Sequence, residues 1–155
     1  MEDFVTFEIA KKLKEKQFNM FCESFYALED FTEECVDSCG DYYEVDFEKG
    51  ELYLKYPLHY NKHMKKILSS PTVSRVLKWL REEKKIHITV LVITDCSKDA
   101  DNNICEEWSF WSFSIINLNN GSTVYDDFEK IDCIEYQSYE EATLAGIEYV
   151  LDNLI

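Results

Sequence analysis

Glycine and proline are scarce in this sequence, with four Gly and two Pro among 155 residues. Phosphate-binding loops and dinucleotide-binding folds depend on closely spaced glycines, and neither pattern occurs. The Gly-x-Ser-x-Gly turn of serine hydrolases is missing too, and only three histidines are present to act as a base. The sequence therefore predicts no catalytic residue and no cofactor, and we expect a protein that is not an enzyme.

Long apolar runs are also missing, because no stretch reaches the roughly 18 residues that a membrane-spanning helix needs. The chain starts with Met1, Glu2 and Asp3, whereas a signal peptide starts with basic residues followed by an apolar segment. We therefore expect a cytoplasmic protein that does not associate with membranes. In that compartment its six cysteines are thiols.

Basic residues almost vanish after Lys85, since residues 86–155 contain only Lys98 and Lys130. The net charge of residues 86–155 is −12, that of residues 19–54 is −10, and that of residues 55–85 is +7, within a total of −15. Such a chain repels nucleic acids and anionic lipids at long range. The sequence therefore predicts a protein partner, of basic character, and no nucleic acid.

The first half of the chain predicts a helix and a β-hairpin. Thr6 is a good N-cap for a helix over residues 7–18. Residues 42–47 and 51–56 flank Glu-Lys-Gly and predict the two strands of the hairpin. The remaining segments are predicted as an irregular acidic stretch, residues 19–41, and a short helix, residues 60–68.

The second half predicts a helix, two or three strands and a final helix. Ser70 and Pro71 are typical of a helix start, and Ser138 with Glu141 forms a capping box for the last helix. The first strand, residues 86–94, is apolar on both faces near its middle, which predicts a central position in the sheet. The other predicted segments are a polar loop, residues 95–106, a second strand, residues 107–117, and a weaker third strand within residues 123–136.

This order of elements predicts an α+β fold in which helices pack on a small antiparallel sheet. We expect one domain over residues 1–155. A lobe made of a helix and a hairpin, residues 1–69, would precede a helix–strands–helix core, residues 70–155. Double-stranded-RNA-binding domains share that order, but they need basic side chains near the start of the second helix. Here residues 137–141 read Gln-Ser-Tyr-Glu-Glu, so the charge has the wrong sign for RNA.

One pattern resembles a metal site: Cys35 and Cys39 are followed by His59 and His63. Zinc ligands often come in pairs separated by three to five residues. The gap between the two pairs is longer than in common zinc fingers, and a chain of this size needs no metal to fold. We therefore predict no metal site and keep zinc binding by these four residues as an alternative.

The strand predicted over residues 107–117 carries large aromatic residues on both faces. Alternation places Trp108 and Phe110 on one face and Trp111 and Phe113 on the other. One pair fills the core, and the other is either covered by the chain before residue 70 or exposed for binding. The predicted interaction residues are the acidic and aromatic ones of this region: Trp108, Trp111, Asp126, Asp127, Glu140 and Glu141.

Three stretches carry a resemblance: FEIAKKLKEKQF at residues 7–18, PTVSRVLKWLREEKKIHITV at 71–90 and YQSYEEATLAGIEYVLDNLI at 136–155. Together they resemble small proteins of Bacteroidales genomes and of their phages and mobile elements, a set with no established activity. Residues 29–41 and 95–106 depart from that pattern. The resemblance implies a phage or mobile-element origin and supplies no site residues.

The leading hypothesis is a non-enzymatic acidic protein of phage or mobile-element origin that binds a host or phage protein. One form of it is an inhibitor that imitates the charge of nucleic acid. A second hypothesis is a self-assembling oligomer, in which the +7 block meets the acidic surface of a neighbour. A third is a small zinc protein that uses the two cysteines and two histidines named above.

Overall fold

The computed structural model describes residues 3–18, 20, 22–36, 38–54, 65–98, 104–127 and 134–155. In that part the chain forms three helices and eight strands in small antiparallel sheets, so the predicted α+β fold is confirmed. The chain divides into two compact units, Met1–Val76 (unit 1) and Leu77–Ile155 (unit 2). A single domain over residues 1–155 stays a prediction.

Helix α1 spans Phe7–Glu15, and the hydroxyl of Thr6 caps it as predicted. The helix ends three residues earlier than expected because Gln17 adopts a left-handed conformation with φ of 61°. The Phe18 N–H then donates to the Leu13 carbonyl at 3.0 Å. This is the Schellman arrangement that satisfies the last carbonyls of a helix.

Within its described residues, unit 1 also contains five strands, which form two small sheets. Strand β1 lies between β4 and β5 and is antiparallel to both, while β2 and β3 form a separate hairpin. The strands are β1 Ser24–Ala27, β2 Phe31–Val36, β3 Tyr42–Phe47, β4 Leu52–Leu54 and β5 Ile67–Ser69.

Two predictions for this region are wrong. Residues 19–41, expected to be irregular, contain β1 and β2. The two strands of the predicted hairpin both exist, but they do not pair with each other, because β3 pairs with β2 and β4 pairs with β1. The alternation of β2 is hard to recognise because Glu33 occupies an inward position between Phe31 and Cys35.

The core of unit 1 contains a cluster of aromatic rings contributed by strands of both of its sheets. Phe47 is buried and lies 4.7 Å from Phe31 and 4.7 Å from Tyr53, measured between ring centroids. Phe25 of β1 stacks on Tyr53 at 5.5 Å and approaches Phe47 at 5.8 Å. Two of the four rings, Phe25 and Phe31, therefore come from the segment expected to be irregular.

Helix α2 spans Val73–Glu82 and runs through the boundary between the two units. Its N-cap is Thr72 rather than the predicted Ser70, since the Thr72 hydroxyl accepts the Arg75 N–H at 3.4 Å. The prediction of a helix over residues 60–68 is wrong for its last two residues, which belong to β5. Residues 60–64 lie outside the described part of the chain.

Unit 2 contains an antiparallel sheet in which β6, β7 and β8 follow each other in chain order. The strands are β6 Ile86–Lys98, β7 Ile104–Asn117 and β8 Ser122–Asp126. The prediction that the first strand is central is wrong, because β7 is central and β6 lies at an edge. The prediction of a loop over residues 95–106 is also wrong for the described residues of that range, because β6 and β7 continue through them as a two-stranded ribbon. Residues 99–103 lie outside the described part.

Helix α3 spans Tyr139–Asn153 and packs against β6 and β7. The two residues of the predicted capping box do cap it: the Glu141 N–H donates to Ser138 Oγ at 3.1 Å, and the Glu141 carboxylate accepts the N–H of Gln137, the residue before the N-cap, at 2.9 Å. Leu144 and Leu154 of this region are only partly buried. The buried residues of the helix are Ala142, Thr143, Gly146, Ile147, Val150 and Leu151.

Candidate interaction surface

The outer part of the β6–β7 ribbon exposes an aromatic ring among carboxylates. Trp108 keeps 39% of its surface exposed, and Glu106 and Glu107 beside it are exposed. The register places Asp95 of β6 directly opposite Trp108, and Asp95 is exposed as well. Phe110 shares a face with Trp108 but is buried. Trp108 is therefore a partly exposed aromatic residue surrounded by negative charge.

Helix α3 presents an acidic outer surface. Its four charged residues are all carboxylates, and all four are exposed: Glu140, Glu141, Glu148 and Asp152. The buried face of the helix packs on the sheet, so these carboxylates occupy the side that faces solvent. Two of the predicted interaction residues, Glu140 and Glu141, thus belong to a longer acidic surface that includes Glu148 and Asp152.

Trp111 lies near the start of α3 and is half-buried. Its backbone exchanges two hydrogen bonds with Tyr136, one donated by the Trp111 N–H at 2.9 Å and one by the Tyr136 N–H at 3.1 Å. Tyr139, the first residue of α3, meets the Trp111 ring edge-on at 5.6 Å and remains exposed. Trp111 therefore positions the first turn of α3, and Tyr139 is the ring that solvent reaches.

Asp127 does not belong to the exposed surface, because only 1% of it is accessible. The Tyr125 hydroxyl donates to Asp127 Oδ1 at 2.9 Å, while Oδ2 has no hydrogen-bond partner among the described residues. Asp126, next to it, is partly exposed. Burying a carboxylate oxygen without a hydrogen bond is costly, and sequence adjacency gave no indication that these two acids lie in different environments.

Two tyrosines beside Asp127 hold their protons unusually tightly. Burial raises the pKa of Tyr125 to about 12, helped by its hydrogen bond to Asp127 and by the negative charge of that carboxylate. Burial likewise raises the pKa of Tyr136 to about 12, with further contributions from Asp127, Tyr125 and Glu141. The Tyr125 ring also lies 3.9 Å from that of Tyr149 on α3. This cluster was not predicted from the sequence, although the region is rich in tyrosine.

We expect the free energy of unfolding to fall as the pH rises from 10 to about 12. The folded-state pKa of Tyr125 and Tyr136 lies above the ordinary value of 10.0, so the unfolded chain releases these protons first. The associated stability is complete below pH 10 and is lost through this window. Urea unfolding followed by tryptophan fluorescence measures the slope. Tyr125→Phe keeps the aromatic ring and should reduce the slope of the free energy of unfolding against pH. Tyr42→Phe, at an exposed position, is the control. Equal slopes in the two variants would contradict the role given to Tyr125.

Unit 1 carries a second exposed acidic surface that sequence reasoning missed. On the outer face of the β2–β3 hairpin, Glu34 lies directly opposite Glu44, and Thr32 lies opposite Asp46. All four are exposed, and the Thr32 hydroxyl donates to Asp46 Oδ1 at 2.7 Å. Like charges directly opposite each other on a sheet are destabilising. The alternation of Glu44 and Asp46 along β3 is the signal that would have revealed this face.

Comparison with protein-family models, with curated proteins and with solved structures finds no match for this chain. No family is assigned. The resemblance to Bacteroidales and phage proteins stays a prediction. Within the described residues, no helix combines the length and the apolar character that crossing a membrane requires.

The predicted zinc ligands are only partly located. Cys35 is buried on the inner face of β2, while Cys39 is exposed in the turn that follows it. His59 and His63 lie outside the described part of the chain. Within residues that the structure does describe, no three His, Cys, Asp or Glu side chains come together as a metal site. The zinc alternative stays a prediction, which elemental analysis of untagged protein tests.

An open depression of about 530 Å³ lies at the base of the β2–β3 hairpin. Two of its carboxylates already accept hydrogen bonds, Asp30 from the Lys49 N–H at 2.7 Å and Asp46 from Thr32. Lys49 also lines it and offsets part of the negative charge. Asp30 and Asp46 are thus each held by a hydrogen bond within unit 1.

Proposed function

We propose that this chain is a non-enzymatic interaction protein that binds a basic partner protein through the exposed carboxylates of unit 2. One observation carries the proposal: every charged side chain of α3 is an exposed carboxylate. The ribbon adds Asp95, Glu106 and Glu107 to the negative surface of the same unit. A basic partner is attracted to such a surface at long range and in the bound complex.

Two of the four acidic residues of α3, Glu148 and Asp152, are placed unfavourably for the stability of the helix itself. Asp152 lies in its last turn, where the helix dipole disfavours an anion by about 0.3–1 kcal/mol. Glu148 and Asp152 are four residues apart and repel each other by a few tenths of a kcal/mol. Lysine at 152 would remove both costs, and lysine at 148 would remove the repulsion. A role in binding therefore explains acidic residues at positions 148 and 152 better than a role in folding does.

Exposed aromatic side chains lie beside these carboxylates. Tyr139 directly precedes Glu140 and Glu141, and Trp108 directly follows Glu107. Tyrosine and tryptophan are enriched among the residues that contribute most binding energy at protein interfaces. We infer that Trp108 and Tyr139 anchor the partner and that the surrounding carboxylates select a basic one.

In the narrower form of the proposal, the partner is a host or phage nucleic-acid-binding protein and the chain inhibits it by imitating phosphate charge. The phage or mobile-element origin implied by the sequence resemblance is consistent with that role. The test is a competition assay, in which duplex DNA displaces the chain from the partner. If the partner bound DNA and this chain at the same time, mimicry of nucleic acid would be excluded, while the broader proposal of partner binding would stand.

The decisive experiment compares two neutralised variants as affinity baits at low and high salt. One carries Glu140→Gln, Glu141→Gln, Glu148→Gln and Asp152→Asn; glutamine at 141 preserves the capping box. The matched control carries Glu34→Gln, Glu44→Gln and Asp46→Asn on the hairpin of unit 1.

We expect the α3 variant to bind the partner at least about tenfold more weakly, because several charge pairs are lost. The control should bind as the unmodified chain does, and high salt should release the partner from both. A partner retained equally by the α3 variant, or held regardless of salt, would contradict the proposal.

A further inference from the structure

Among the residues that the structure describes, nothing pairs with the outer edge of strand β6. Residues 86–94 contain no Asp, Glu, Lys, Arg or Pro, and their register with β7 is unbroken. Within the described residues, the backbone of this stretch pairs with β7 alone. Native proteins usually block such an edge with charges, proline, a bulge or a short strand, since an open edge pairs readily with another strand. None of these devices is present along residues 86–94.

The charges at the two ends of this neutral stretch have opposite signs. Lys84 and Lys85 precede it, and Asp95 follows it. The middle residue is Val90, and Lys85 and Asp95 lie at equal distances from it along the chain. An antiparallel copy of the strand centred on Val90 would therefore place each Lys85 opposite Asp95 of the second copy, whereas a parallel copy would place like charges together.

We propose that a second copy of this chain pairs with β6, edge to edge and antiparallel about Val90. The two sheets then form one six-stranded sheet, generated by a twofold axis perpendicular to it. That axis leaves α3 of both copies on the same face of the sheet. The interface lies along the β6 edge, makes no use of the carboxylates of α3, and shares only Asp95 with the surface of the proposed function.

Apolar burial adds to the main-chain hydrogen bonds of this pairing. Leu91 and Val92 are 50% and 51% exposed and lie on opposite faces of β6. In the register centred on Val90, Leu91 lies opposite Thr89 of the second copy and Val92 lies opposite Ile88 of the second copy. Both exposed side chains therefore lose contact with water on pairing, which favours the dimer.

The end charges are available for the contact. Lys85 is exposed and donates one Nζ hydrogen bond to the Glu82 carbonyl at 2.8 Å, which leaves two donors on the ammonium group. Asp95 is exposed, and its Oδ1 accepts the Cys96 N–H at 2.8 Å. Its second oxygen remains for Lys85 of the second copy.

Sedimentation equilibrium of the untagged full chain tests the proposal. We expect a dimer at low and at high salt, because main-chain pairing and apolar burial are little affected by ionic screening. Leu91→Lys places a charge in the centre of the pairing and should weaken dimerisation about tenfold or more. Val124→Lys changes an exposed aliphatic residue on β8, at the opposite edge of the sheet, and should leave the dimer unchanged. A chain that is monomeric at every concentration, or a dimer that Leu91→Lys does not weaken, overturns the proposal.

A charge exchange tests the orientation. Asp95→Lys and Lys85→Asp should each weaken the dimer, and the double variant should recover most of the loss because the opposite charges face each other again. Aspartate is tolerated at 85, where φ is 58°. Circular dichroism verifies that each variant is folded. If the double variant is as weak as the sum of the single ones, the antiparallel register about Val90 is wrong.

Discussion

Replacing Gly146 by leucine should lower the free energy of unfolding by about 3 kcal/mol or more. Gly146 lies on the buried face of α3, where a Cβ would come within 2.9 Å of Ile88 Cγ2 and 3.2 Å of Phe113 Cδ2. Neither neighbour is the far end of a flexible chain, so the helix must move away from the sheet. That movement would open the contact between α3, β6 and β7.

Gly146→Ala is the graded version of this test. Alanine gains about 1 kcal/mol in helix propensity, yet its Cβ meets the same two side chains, so we expect a net loss. Ile88→Leu removes the Cγ2 methyl with little change in volume, and in that background the loss from Gly146→Ala should shrink. Urea unfolding of the four proteins measures the coupling. A stabilising Gly146→Ala in the unmodified background would show that helix propensity outweighs the contact.

Phe47→Ala should cost about 3–5 kcal/mol in the stability of unit 1. The Phe47 side chain is almost wholly buried and touches the rings of Phe25, Phe31 and Tyr53. Its removal leaves a cavity bounded by rigid rings that cannot easily collapse into it.

Tyr42→Ala on the same strand is the matched control for Phe47→Ala. Tyr42 is 73% exposed, so its loss should change the free energy of unfolding by less than about 0.5 kcal/mol. Thermal and urea unfolding compare the two variants. A similar cost for both would mean that the aromatic cluster does not stabilise unit 1.

The helices were the most predictable part of the fold because their signals are local. The caps at Thr6 and Ser138 depend on hydrogen bonds that span three residues, and both are present. Strand pairing depends on partners far apart in sequence. The turn at Gly50 has the predicted positive φ of 86°, but β3 and β4 on either side of it pair elsewhere. A correct turn therefore did not imply a correct hairpin.

The position of β6 shows why burial is difficult to derive from composition alone. Residues 90–93 are apolar on both faces, which is typical of a strand with neighbours on both sides. In the structure α3 covers one face of β6, and Leu91 and Val92 remain exposed. The pairing proposed above, in which β6 gains a second neighbouring strand, would explain the composition that led to the wrong assignment.

The candidate site was only partly accessible to sequence reasoning. Acidic character was visible at Glu140 and Glu141, and the helical period then places Glu148 and Asp152 on the exposed side of α3. The separation of Asp126 from Asp127 was not visible, because it depends on where β8 ends and on the position of Tyr125. Asp127 is buried, whereas Asp126 beside it is partly exposed.

The strand order β4-β1-β5 in unit 1 has a consequence for folding during synthesis. Strand β1 pairs with β5 across about 40 residues, whereas β6, β7 and β8 pair in the order in which they are made. Long-range pairing slows folding because the intervening loop must close first. Although it emerges earlier from the ribosome, the first sheet is expected to close late: β4 can cover one edge of β1 once residue 54 is available, but the other edge stays open until residue 69 is available.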